Sequence, residues 1–168
     1  KDKTGEVCTG GLDLASVRDF CSLVLFFDNG DETYDTKRFY WLPEAIADEY
    51  KNKSDDFTDW IRDGLITITP GNATDYNRIR QDITGYTVED GKIVMKDCIA
   101  TRYNLDSIAY DRYNSSQLVI NLQDDGLEMS PFGQGFVSMS APTKDLERLV
   151  HEEKINFEGD PVLRWMAS

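Results

Sequence analysis

The sequence is poor in the residues that most often carry metal or covalent chemistry. One histidine, His151, and three cysteines, Cys8, Cys21 and Cys98, occur in 168 residues; the cysteines are far apart, with no CxxC pair and no histidine beside them. That spacing suggests neither a Cys/His zinc site nor a secreted disulfide framework, and it fits a cytosolic setting. A lone histidine near the end of a predicted helix supports no nucleophilic triad and reads as an exposed or dipole-favoured imidazole. There is no GxxxxGK[ST] P-loop, and Gly133-Gln134-Gly135 is too short for a dinucleotide fingerprint. No apolar run approaches the ~20 residues of a membrane-spanning helix, and no segment reads as a signal peptide, so a soluble chain is expected. Basic residues are scarce too. Against 31 Asp and Glu stand 18 Lys and Arg, a formal net charge of −13. A generally basic nucleic-acid surface is excluded, and any DNA contact has to be local or metal-mediated.

What is present is enough apolar content, 40%, to bury one sizeable core, so a single domain is expected. The chain opens on Lys1 rather than Met, and Arg164-Trp165-Met166-Ala167-Ser168 reads as a helix cut short. A piece of a longer protein, lacking its C-terminal end, is the expectation. Val7 to Leu14 reads as a strand whose Gly10 and Gly11 permit close approach. Ser22 to Phe27 is a second strand, stopped by the turn signal Asp28-Asn29-Gly30-Asp31, and Lys37 to Leu42 is a third. Together they form an antiparallel meander. From Glu44 to Gly91 the pattern is one of helices and connectors, with Gly64 ending a helix around Trp60 and Ile61, and with Tyr76, Ile79, Arg80 and Ile83 on one helical face. Val94, Cys98 and Ile99 place a helix over Ile93 to Arg102.

A strand, Ser107 to Tyr110, follows, then a helix capped by Asn114 or Ser115 with Leu118, Val119 and Leu122 on its inner side. Strand Leu127 to Pro131 comes next. Ser140-Ala141-Pro142 opens a helix with a buried stripe of Leu146, Leu149 and Val150. Strand Ile155 to Phe157 precedes a last helix capped by Asp160 with Pro161 in its first turn. Strands first in a meander and then alternating with helices predict an α/β fold. Its mixed sheet would be antiparallel at one edge and parallel elsewhere, with helices on both faces.

Two of these strands end on a carboxylate, Asp13 in "GGLD" and Asp111 in "SIAYD". If the strands are neighbours, both acids project from one sheet edge and offer the oxygen ligands that Mg²⁺ or Mn²⁺ take. A two-metal phosphodiester hydrolysis needs little else. The competing reading is that each Asp is a turn former or helix cap. Asp19 lies close in sequence but reads as a turn residue. Asp55-Asp56 and Asp124-Asp125 read as solvated helix ends, and Trp41, Trp60 and Trp165 as core or interface anchors.

"GGLDLASVRDF" followed by "FYWLPE" resembles the start of the nuclease domain of tailed-bacteriophage terminase large subunits. "WIRDGLITITPGNATDYNRI", "IAYDRYNSSQLVINLQDDG", "GQGFVSMSAPTKDLERLV" and "GDPVLRWMAS" continue that resemblance in the same order over essentially the whole chain. The resemblance implies an RNase H-like fold and a metal-dependent endonuclease that cuts concatemeric DNA during genome packaging in the host cytoplasm. It implies Asp13 and Asp111 as ligands of Mg²⁺ or Mn²⁺, and a third acid on a helix beyond Ser168 that neither Glu158 nor Asp160 matches. It also implies double-stranded DNA, a terminase small subunit, a portal protein and an upstream ATPase domain as partners. Arg112 would be placed to touch phosphate. A resolvase or transposase core sharing the acids, and a non-catalytic docking module of the packaging motor, are the alternatives.

Overall fold

The computed structural model describes residues 1–15, 19–52, 54–112 and 117–168. β1 (Val7–Asp13), β2 (Cys21–Asp28) and β3 (Tyr34–Pro43) form the expected antiparallel meander. α1 (Glu44–Lys51), α2 (Asp55–Arg62), β4 (Thr67–Thr69), α3 (Tyr76–Thr84), β5 (Tyr86–Glu89), β6 (Lys92–Met95) and α4 (Ile99–Arg102) follow. The chain then runs through β7 (Asn104–Asp111), α5 (Gln117–Asp124), β8 (Met129–Phe132), α6 (Phe136–His151), β9 (Ile155–Asn156) and α7 (Pro161–Met166). The main sheet has the order β4-β3-β2-β1-β7-β8, with β9 also on β3. β1 pairs with β7, β7 with β8, and β3 with both β4 and β9 in parallel. The mixed sheet expected from the sequence is what forms.

Strand alternation sends two sets of side chains to opposite faces of this sheet. On one face Leu12, Leu23, Leu25, Phe27, Trp41 and Ile108 pack against Ile79 and Ile83 of α3 and Leu118, Val119 and Leu122 of α5. On the other, Tyr40 and Leu42 pack with Phe20, Ile46 and Ala47 of α1, Phe57 of α2 and Val162 of α7. Helices therefore cover both faces. Gly10 is needed for the first core: a Cβ there would stand 3.1 Å from Ile108 and 3.3 Å from Leu23. Gly11, on the opposite face, meets nothing within 4 Å. Among the described residues no helix is long and apolar enough to cross a membrane.

Several expectations are corrected. Residues 92–95 form a strand, not a helix, and pair with β5 in a separate two-stranded hairpin. Asp90 (φ 49°) and Gly91 (φ 73°) both take positive φ, as a two-residue hairpin turn of the I′ kind demands, so an Asp-Gly signal outweighs the helical spacing. Only the single turn α4 remains helical. The Glu44 to Gly91 stretch likewise contains the strands β4 and β5. α6 begins at Phe136, before the expected Ser140 start, and carries Pro142 inside it. Of its expected stripe Leu149 is buried, while Leu146 and Val150 are about half exposed, because only one narrow side meets the body. Asp125 is no solvated helix end. Both its oxygens take Arg80 at 2.6 Å in a pair that is largely buried. The caps expected at Asn114 or Ser115 lie outside the described residues.

Candidate active site

The parallel register of β1 and β7 decides where the two strand-end acids go. Leu12 pairs with Tyr110, so the next residues, Asp13 and Asp111, stand side by side at the same end of neighbouring strands. Both lie on the face opposite Leu12. Asp13 also pairs across the antiparallel side with Ser22, which pairs in turn with Tyr40. The row Asp111, Asp13, Ser22, Tyr40 therefore crosses the sheet at one edge.

The acids repel one another there. Burial against the sheet edge pushes the Asp13 carboxyl above its ordinary value, and the charges of Asp19 and Asp111 push it further the same way. A shift from burial plus like charges marks a carboxylate short of a positive neighbour. Asp13 and Asp19 line an open cleft of about 410 Å³ with Phe20, Ser22, Tyr50, Trp165 and Met166. Asp111 does not line this cleft; it borders a tight crevice with Leu12, Leu14 and Tyr110.

Ala15, just past Asp13, is held from outside. The Ala15 carbonyl accepts the Tyr76 hydroxyl at 3.2 Å, the Thr74 hydroxyl at 3.3 Å and the Cys21 thiol at 3.7 Å, while the Ala15 amide donates to the Cys21 sulfur at 3.3 Å. Three donors on one carbonyl two residues past Asp13 hold the strand exit against the start of α3. Burial raises the Cys21 thiol and the Tyr76 phenol, so both remain protonated donors at neutral pH.

The far wall of the cleft is α7, and a buried network places it. The Asp160 side chain caps α7 by accepting Val162 N–H at 2.8 Å and Leu163 N–H at 3.0 Å through Oδ1, and takes Arg38 Nε at 2.6 Å through Oδ2. Tyr40 donates to Oδ2 at 3.2 Å. Asp160 thus has the capping role expected for it and a second, tertiary one. Glu158 pairs with Lys37 at 2.8 Å and is likewise structural.

His151 ends α6. The Arg112 guanidinium lies by Gly133, where a Cβ would stand 3.7 Å from its central carbon. A separate groove of about 200 Å³ includes Arg78, Asp82, Asp97 and Arg102 in its lining, but these four neutralise one another as ion pairs.

Among the described residues no group of three or more Asp, Glu, His or Cys side chains converges in a form that would hold a metal ion. Asp13 and Asp111 nevertheless offer two carboxylates, the ligand type that hard divalent cations take. Mg²⁺ is commonly held by one or two carboxylates, keeping waters and substrate phosphates as its other ligands. A cation between Asp13 and Asp111 would also offset the burial and the like charges that raise Asp13. Sequence reasoning missed Ser22, Tyr50, Met166 and the donors to Ala15, since none stands in a motif that names chemistry.

Comparison with known proteins bears on this geometry. The family described as "Terminase large subunit, endonuclease domain" matches residues 2–168. The large subunit of the terminase of Enterobacteria phage HK97 is 30% identical over 161 residues, covering 94% of this chain and 29% of that protein. Protein YmfN of Escherichia coli strain K12 is 24% identical over 170 residues, covering 96% of this chain and 34% of that protein. The crystal structure of the HK97 large terminase superposes with a TM-score of 0.79 at 28% identity, over 96% of this chain and 32% of that one. The chain thus spans about a third of the length of these relatives.

Proposed function

Because the chain belongs to the terminase large-subunit endonuclease-domain family, we propose that it is a metal-dependent endodeoxyribonuclease. It hydrolyses phosphodiester bonds of concatemeric double-stranded DNA during viral genome packaging in the host cytoplasm. The observation that carries this reading is the Leu12–Tyr110 register, which sets Asp13 beside Asp111.

Asp13 and Asp111 would hold Mg²⁺ or Mn²⁺. A pair of such ions would supply Lewis acidity to a phosphodiester. The protein's own contribution is positional. β1 and β7 fix the separation of the two carboxylates, the clamp on Ala15 holds the exit of β1, and α7 closes the far wall of the cleft. The RNase H-like fold of the domain agrees with this chemistry.

The surface, at a net charge of −13, repels DNA. Delivery of DNA to the sheet edge then falls to the ATPase domain of the same large subunit, the small subunit and the portal protein. A resolvase or transposase core would share the acids but not the family match over residues 2–168.

The test is nicking of supercoiled plasmid in Mn²⁺ by Asp13→Asn and Asp111→Asn, made separately. Each is expected to lose at least about 10–100-fold, the range lost when even the residues behind metal ligands are changed. Unchanged cleavage in both would refute the assignment and favour a docking role.

A further inference from the structure

We infer that α7 carries a nucleotide-binding subsite beside the acids: Trp165 stacks on an unpaired base of the DNA strand next to the scissile phosphate, and Arg164 binds the adjacent phosphate. This rests on the nuclease reading and extends it to the substrate's conformation.

Trp165 packs against Phe20, Tyr50, Phe57 and Trp60 and stays partly exposed. Phe57 and Tyr50 meet it nearly perpendicularly, at 5.0 Å and 88° and at 5.6 Å and 87°. These contacts fix the plane of the indole, yet 39% of the residue remains exposed, and its neighbour Met166 is 40% exposed. A ring fixed in this way loses little entropy when a base stacks on it. Trp165 and Met166 share the cleft with Asp13 and Asp19. Trp165 also lines a second groove with Arg164 and Trp60. Trp165 thus links the cleft of the acids to the groove of Arg164, and a phosphate, a base and the next phosphate follow one another in the same order along one strand.

The charge at Arg164 is available. Arg38, Arg62, Arg78, Arg80, Arg102 and Arg148 each pair with a carboxylate of the chain. Arg164 is exposed and has no such partner among the described residues. The Asp56 carboxylate lines the same groove, so the attraction is local and salt-sensitive.

The experiment titrates the 168-residue chain, in Ca²⁺, with a short thymidine oligonucleotide and with the same oligonucleotide carrying a central abasic site. Tryptophan fluorescence and the anisotropy of a label on the DNA are the readouts. The expected results are quenching in the parent that Trp165→Phe abolishes, and at least about fivefold weaker binding in Trp165→Ala with loss of the preference for intact over abasic DNA. Arg164→Gln should lower the salt slope by about one. Trp165→Phe keeps the ring cluster, so it remains informative if the alanine variant unfolds. Full quenching in Trp165→Phe, no preference for intact DNA in the parent, or an unchanged slope in Arg164→Gln overturns the subsite. Asp13→Asn assayed for nicking in parallel separates the two ideas: loss of nicking with any of those three results refutes the subsite alone, and retained nicking with the expected binding refutes the metal site alone.

Discussion

Replacing Asp160 by Asn perturbs the contact that seats α7, and its cost follows from the geometry. Asp160 and Arg38 are 2.6 Å apart, with side chains 10% and 5% exposed. The asparagine keeps an oxygen for the Val162 and Leu163 amides, and Asn caps helices about as well as Asp. Its amide nitrogen, however, replaces the oxygen that accepts from Arg38 and Tyr40, setting donor against donor. Removing one member of a buried ion pair costs about 3–5 kcal/mol, because the other charge is left without compensation. Glu158, 3.9 Å from an Arg38 nitrogen, offsets part of that charge, so the expected loss is at the low end, about 3 kcal/mol. Asp160→Ala removes the cap as well and should cost about 1 kcal/mol more. In the double variant Arg38→Met/Asp160→Asn the stranded charge is gone, and the loss should fall short of the sum of the single variants. Urea unfolding followed by circular dichroism, at unchanged m-value, measures each. A loss below about 1 kcal/mol for Asp160→Asn, or strict additivity in the double variant, would refute the view that this charge pair holds α7.

The remaining expectations concern the sheet edge. Asp13 has its pKa raised above the ordinary 3.8 in the folded chain, so the folded state binds its proton more tightly than the unfolded state does. Ionising it therefore opposes folding: the penalty is absent below 3.8, grows as pH rises through the raised value, and is constant above it. Asp13→Asn should match the parent in stability at acid pH and exceed it at neutral pH, with added Mg²⁺ narrowing the gap; equal stability at both pH values would contradict a penalty from burial and like charge at Asp13. Tyr76→Phe removes one of three donors from the Ala15 carbonyl and should cost about 1 kcal/mol. It should also raise the Mn²⁺ concentration needed for half-maximal nicking. Gly10→Ala forces a Cβ against Ile108 and Leu23, and thermal unfolding should report about 1–2 kcal/mol of overpacking.

Local signals made much of this structure legible. The turn at Asp28 to Asp31 and the alternation on either side of it mark β2 and β3, and Asp160-Pro161 marks the start of α7. Such features depend on neighbours within a few residues. The hairpin at 86–95 was legible as well through Asp90-Gly91, but helical spacing at Val94, Cys98 and Ile99 pointed the other way. α6 misled for a different reason: its apolar residues have helical spacing, but the body covers only one of the three expected to be buried. Periodicity reports which side is apolar, not whether anything packs on it.

The candidate site divides along the same line. That two apolar strands end on Asp13 and Asp111 follows from the sequence alone, because strand length and strand end are set by local pattern. That the two acids are neighbours was decided by the tertiary structure, since it depends on a crossover that brings β7 beside β1 and on a register pairing Leu12 with Tyr110. A slip of one residue would turn one acid to the opposite face. Trp165 reaches the same cleft on α7, which is seated by the buried Val162 and by a carboxylate at position 160 that meets a guanidinium at position 38. Those 122 residues of separation are beyond any spacing rule, and the pairing exists only where folding has excluded water from both charges.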